Sequence, residues 1–234
     1  MKTNYFFTHL DKPELKPLVS EEVNGERYYI SPNGNKLPSV TTVLGYFKKA
    51  QIVEWRNRVG AKEANSISNR AATRGTKFHT LMERYLKNEH NNLFENVMPD
   101  MKQAFNDIKH VIDNIDNIHY IESPLYSETL GVAGRTDVIA EYSGIPSIID
   151  FKTSQKPKKE EWITNYFEQG TAYSLMYEEL TSCSIEQVVV IISVNVMSEP
   201  QVFIKNRNDY KDSLVTKIDE YYKVNNLTKK GNKT

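Results

Sequence analysis

Apolar residues recur three and four apart around Pro99. Met98, Met101, Phe105, Ile108 and Ile112 fall on one face, a spacing that predicts an amphipathic helix with proline in its first turn. The same period places Val40, Val43, Leu44 and Phe47 on one stripe of a helix opened by Pro38-Ser39. It also turns Phe78, Leu81, Met82 and Tyr85 inward on a helix from about Ala71 to Lys87, with another helical stretch over roughly Gln51 to Ile67. The character then changes. His119 to Ser127, Val132 to Tyr142 and Pro146 to Lys152 read as three strands, separated by turn signals at Gly131 and Ser143-Gly144. A helix from about Lys159 to Leu180 follows. The run Glu186 to Val194 is apolar almost throughout, as a strand covered on both faces should be, and Gln201 to Ile204 reads as one more strand. Tyr210, Leu214, Ile218 and Tyr221 mark a C-terminal amphipathic helix.

Upstream, Glu26 to Leu37 has the pattern of a hairpin, with β-prone Arg27 to Ile30 and a turn at Pro32-Asn33-Gly34. Residues 1–25 read as a loosely ordered lead-in, and residues 226–234 as a flexible basic tail. The order of elements predicts an α/β (α+β) chain: a mixed central sheet flanked by helices, with an N-terminal helical wall. It is laid out as a single domain over 26–225, helical over about 39–115, with the sheet over about 117–205 and a last helix over about 207–225.

The 234 residues can bury a proper core without disulfide staples. A single cysteine, Cys183, excludes an intrachain disulfide and a thiol-ligated zinc or iron–sulfur site. Thirty basic residues balance thirty acidic ones, so the chain is not a non-specific polycation, although local patches can still attract DNA. No apolar run approaches the roughly 20 residues of a membrane helix. Met1 to Glu22 lacks the pattern of a signal or transit peptide, which predicts a cytoplasmic protein. Abundant Asn, Lys and Ile point to an AT-rich genome such as a phage's.

Chemistry concentrates in Ser147 to Thr153. On a strand, Asp150 and Lys152 share one face while Ile149 and Phe151 share the other. A carboxylate and an ammonium at the end of an apolar strand are explained by a surface ion pair or by a site. The preceding strand favours a site. Asp137 sits in an otherwise apolar run, and a turn at Ser143-Gly144 lets the two aspartates meet across a hairpin. Two close carboxylates repel unless a cation lies between them, and oxygen ligands of this kind suit Mg²⁺ or Mn²⁺.

The runs Gly134-Arg135-Thr136-Asp137, Ile149 to Thr153 and Gln169-Gly170-Thr171-Ala172-Tyr173, with Arg74 to His79 upstream, resemble the RecB-like branch of the PD-(D/E)XK nucleases. Pro38 to Leu44, Ala140 to Tyr142 and Asp150 to Lys158 resemble, within that branch, the mitochondrial genome maintenance exonucleases and their phage relatives. The resemblance spans about residues 37 to 200. It implies a restriction-endonuclease-like fold, a sheet under a helical wall or arch, and a Mg²⁺- or Mn²⁺-dependent deoxyribonuclease without an iron–sulfur cluster. Asp137, Asp150, the Phe151 carbonyl and His79 match its metal ligands, Lys152 its catalytic lysine, and Gln169 and Tyr173 a helix that supports that lysine and the DNA backbone. Glu122 matches an acidic position that binds a second metal or merely hydrogen-bonds the site. The partner implied is DNA, single-stranded or with single-stranded ends, handled by an exonuclease in replication, recombination or repair alongside other proteins of those processes.

Several residues carry two readings. His79 is a packed histidine by its neighbours and a metal ligand by the resemblance. Ser39, Thr41 and Thr42 donate to a phosphate at a helix start, Ser39 caps that helix, or both hold at once. Arg74, Lys77, Thr153, Lys156 and Lys158 are solvated charges and polar groups or DNA contacts. Trp55, Trp162, Tyr166 and Phe167 are core or base-stacking aromatics. Two other functions share the fold: a structure-specific endonuclease, and a DNA-binding module without catalysis.

Overall fold

The computed structural model describes residues 5–229. Its centre is a five-stranded sheet in the order β4-β5-β6-β7-β8: β4 Ile115–Ser127, β5 Val132–Tyr142, β6 Ile145–Ser154, β7 Gln187–Val194 and β8 Gln201–Asn206. The first three strands form an antiparallel meander. Ser143 and Gly144 both have positive φ, +52° and +78°, as a two-residue hairpin turn requires. β6 and β7 are parallel, so the chain must cross over between them, and helix α5 (Thr164–Thr181) does so.

Helices cover both faces. On one side α3 (Ala61–Leu86) and α4 (Pro99–Ile112) set Phe78, Leu81, Met82, Phe105 and Ile108 against Val138, Ile149, Phe151, Val189 and Ile191. On the other side α1 (Val40–Tyr46), α5 and α6 (Lys211–Val224) meet Ile139, Ile148, Val188 and Val190. The apolar run of β7 is therefore divided between two cores, the physical reason it lacks alternation. A mixed sheet flanked by helices is the architecture expected from the order of elements.

Three expectations need correction. The second helix does not run to Ile67. It ends as α2 (Lys49–Val59), Gly60 reverses the chain at φ +85°, and α3 then continues unbroken for 26 residues. No proline or glycine between Ile67 and Ala71 stops it. α2 buries no side chain completely, and the first half of α3 buries only Ala64, so these helices form the projecting wall.

The described part of the lead-in is not loose. Phe7 is buried against Tyr85, and His9 bridges to Ile118. β1 (Val19–Val23) pairs with β2 (Glu26–Ile30), which pairs with β3 (Lys36–Pro38). The turn is Asn24-Gly25, a strong hairpin signal that polar flanks concealed.

The basic tail is partly docked. Leu227 donates its N–H to Tyr222 O, and Lys229 pairs with Asp219. The remainder of the tail, 230–234, and the first four residues lie outside the described residues.

Candidate active site

Period-two alternation fails at one place, and the acids are there. On β5, Ile139 faces α5 and Val138 faces α3, yet further back Val132 faces α5 and Ala133 packs on Tyr29 and Leu37 of the small sheet. The parity has reversed. β4 reverses in step: Tyr120 and Leu125 lie on the same side although their numbers differ in parity. Between them Glu122 adopts φ +48°, uncommon for a residue with a Cβ. Glu122 and Asp137 lie at this shared reversal, between partners Ile121↔Val138 and Ser123↔Thr136. A strained backbone at such a point is a feature of functional sites.

His79 reaches the same spot from α3. Its Nδ1 lies 3.3 Å from Asp137 Oδ1 and 3.9 Å from Glu122 Oε1. The three side chains, from three elements, offer ligand atoms all within 4.8 Å of one another. One nitrogen and two carboxylates fit a divalent cation of the Mg²⁺ or Mn²⁺ class. Burial lowers the His79 pKa, but hydrogen bonds to Asp137 and Glu122 and their charges outweigh it and raise it to about 10. Burial raises Asp137, and His79, Lys152 and the Phe151 N–H together hold it below the usual carboxylate range. The Phe151 N–H donates to Asp137 Oδ2 at 2.8 Å, tying β6 to β5 where their ladder has ended.

Asp150 and Lys152 share a face of β6, as alternation requires, and form an ion pair. Asp150 is 1% exposed. Burial and the nearby Asp137 push it up to about 6 against the pull of Lys152. Burial lowers Lys152, and the two aspartates more than offset that. Gln169 Nε2 donates to Asp150 Oδ1 at 3.3 Å and to Tyr173 OH at 3.2 Å, so the two helix residues do converge. Tyr166, one turn earlier on α5, sets its ring under the Lys152 ammonium, 5.3 Å from the centroid. From the sequence alone Tyr166 has only a core or base-stacking role. Its spacing of three from Gln169 was the available signal.

Glu122 thus joins His79 and Asp137, while Asp150 is engaged by Lys152 and Gln169. The outlying candidates fare differently. Ser39 is buried and caps α1 by accepting from the Thr42 N–H at 2.9 Å; the Ser39 and Thr41 hydroxyls lie 2.9 Å apart. Thr42 Oγ1 donates to Arg27 O at 3.2 Å. The capping reading accounts for the contacts that Ser39 and Thr42 make within the chain. Arg74 pairs with Asp100 of α4 at 2.9 Å, a brace between helices. Lys77 and Lys156 are exposed, and Thr153 is half-buried. The backbone of Lys158 is clamped by Gln201, its N–H at 2.7 Å and its carbonyl at 2.9 Å. Phe167 is core, and Trp162 is exposed under Lys159.

A mixed sheet that brings acids from adjoining strands together with a lysine one step along is the core of a nuclease-type fold. The family profile described as the PD-(D/E)XK nuclease superfamily matches residues 54–222, and the chain belongs to that superfamily. The mitochondrial genome maintenance exonuclease 1 of Homo sapiens is 30% identical over 133 residues, covering 53% of this chain and 38% of that protein. Its Mus musculus counterpart is 28% identical over 158 residues, covering 61% of this chain and 46% of that protein. The chain spans less than half the length of these relatives.

Proposed function

We propose that the chain is a metal-dependent exodeoxyribonuclease that hydrolyses phosphodiester bonds at DNA ends, prefers single strands, and leaves 5′-phosphate and 3′-hydroxyl groups. The cluster of His79, Glu122 and Asp137 beside the Asp150–Lys152 pair carries this reading. The names of the two relatives support the choice of exonuclease.

His79, Glu122, Asp137 and Asp150, with the Phe151 carbonyl, would hold Mg²⁺ or Mn²⁺. When bound, such an ion supplies Lewis acidity toward a phosphoryl oxygen and lowers the pKa of a water. Lys152 sets a positive charge where negative charge grows on the phosphate. Asp150 and the Tyr166 ring hold that ammonium in place. Gln169 fixes the Asp150 carboxylate, and Tyr173 fixes Gln169. Lys77 and Lys156, exposed two residues before His79 and four after Lys152, neutralise flanking phosphates.

End-labelled linear and circular single-stranded DNA, each with Mg²⁺ or EDTA, test the reading. Linear DNA is degraded only with metal, and circular DNA survives. Asp150→Asn and Lys152→Ala lower the rate by about 10²-fold or more, with the circular dichroism spectrum unchanged. Cleavage by either variant at the native rate overturns the nuclease assignment, and cutting of the circle makes the enzyme an endonuclease.

A further inference from the structure

A cleft of about 580 Å³ has walls that include Lys12, Arg27, Tyr29, Tyr120, Ser123 and Arg135. It lies between the small N-terminal sheet, with the segment that leads into it, and the middle of β4 beside the first half of β5. The parity reversal puts it there: Ala133 and Arg135 turn toward the small sheet once the alternation has inverted. Ser123 directly follows Glu122. Arg135 lies two residues from Asp137, about 7 Å along an extended strand.

The charge of this cleft stands out in a chain with no net charge. Lys12, Arg27 and Arg135 line it against one acid, Glu14. Among the described residues, no hydrogen bond or ion pair engages the side chains of these three cations. Unpaired guanidinium groups offer the planar fork that binds phosphate through two N–H donors. Tyrosine rings beside them suit an unpaired base, which every nucleotide presents as a flat face.

We propose that this cleft seats the nucleotide next to the cut. Its phosphate lies between Arg27 and Arg135, and its base lies beside Tyr120. The identification of the ligand as part of a DNA strand rests on the nuclease reading. The binding of a nucleoside phosphate does not.

The probe is thymidine 5′-monophosphate, titrated calorimetrically into the full chain in EDTA so that nothing is cut. The native chain binds it. Thymidine, which lacks the phosphate, binds at least about tenfold more weakly, and so does the monophosphate to the Arg27→Ala/Arg135→Ala double variant. Lys211→Ala, which removes an exposed cation on α6, binds as the native chain does. Arg27 and Arg135 are exposed, and a melting curve confirms that the double variant is folded; each single variant gives a second reading if it is not. The proposal fails if the native chain does not bind the monophosphate at millimolar concentration, if the double variant binds it equally, or if thymidine binds as well.

A parallel cleavage assay with Mn²⁺ separates the two ideas. Arginine-dependent binding by a chain that cuts no DNA keeps the cleft and removes the nuclease. A chain that cuts DNA with the same KM in native and double-variant forms, and binds no monophosphate, keeps the nuclease and removes the cleft.

Discussion

His79 is enclosed by Asp137 and Glu122, and its pKa of about 10 in the chain alone lies well above the ordinary 6.5. A histidine shifted upward stabilises the native state fully below pH 6.5, and that contribution is lost as pH rises through about 10. The metal-free chain should therefore melt at a lower temperature at pH 10 than at pH 7, and His79→Ala should flatten this dependence. A flat native profile would remove the ion pair. A cation competing for the same nitrogen must displace its proton. Adding Mn²⁺ in weak buffer at pH 7 should release close to one proton from the native chain and distinctly less from His79→Ala, as an indicator dye would record. Tyr166 offers a finer test. Tyr166→Phe keeps the ring under Lys152 and should retain most activity, whereas Tyr166→Ala loses a contact of about 1 kcal/mol and should cut several times more slowly. The Asp150–Lys152 pairing was legible in the sequence, because two residues apart on a strand is one face. The meeting of His79 with Glu122 and Asp137 was legible only through a family resemblance, since it joins positions far apart in the chain.

Two motif glycines acquire a physical reason at the level of elements. A Cβ on Gly134 would lie 2.7 Å from Tyr173 Cε1, and one on Gly170 would lie 2.3 Å from Val188 Cγ1. Gly134 lets the Tyr173 ring rest on β5, and Gly170 lets α5 settle on β7. Gly170→Ala should destabilise the fold by about 1–3 kcal/mol through overpacking, read from urea unfolding. Gly134→Ala should act more on activity than on stability, because the displaced Tyr173 supports Gln169 and so Asp150. A Gly134→Ala protein with native kcat would show that this support does not matter. The five strands of the central sheet and most helices could be read from periodicity, whereas β1 could not. The break at Gly60 could not, since a glycine in a helical run is often tolerated and only its φ of +85° shows a reversal. The paired inversion of β4 and β5 was equally hidden, because the register of the two strands stays continuous from Ser127 to Tyr120.

Across the molecule, the N-terminal segment crosses from the α3–α4 core to the small sheet. Phe7 is buried beside Tyr85, and the Phe7 backbone exchanges two hydrogen bonds with the Asn88 side chain, at 2.9 and 3.0 Å. Phe7→Ala should cost about 3 kcal/mol, measured as a lowered denaturation midpoint. An unchanged midpoint would mean that the segment adds nothing to the fold. No helix among the described residues is long and apolar enough to cross a membrane.

Local pattern alone determined much of this protein. Apolar spacing marked the α3–α4 face and the doubly covered β7, and alternation marked the shared side of Asp150 and Lys152. These properties depend on residues a few positions apart, within the reach of one helical turn or one strand pleat. Tertiary structure decided the rest: which face Glu122 and Asp137 turn to, that His79 meets them, and that Arg135 borders a cleft with Arg27. Each of those outcomes depends on how separate elements pack and where a strand pair inverts, and no local spacing encodes either.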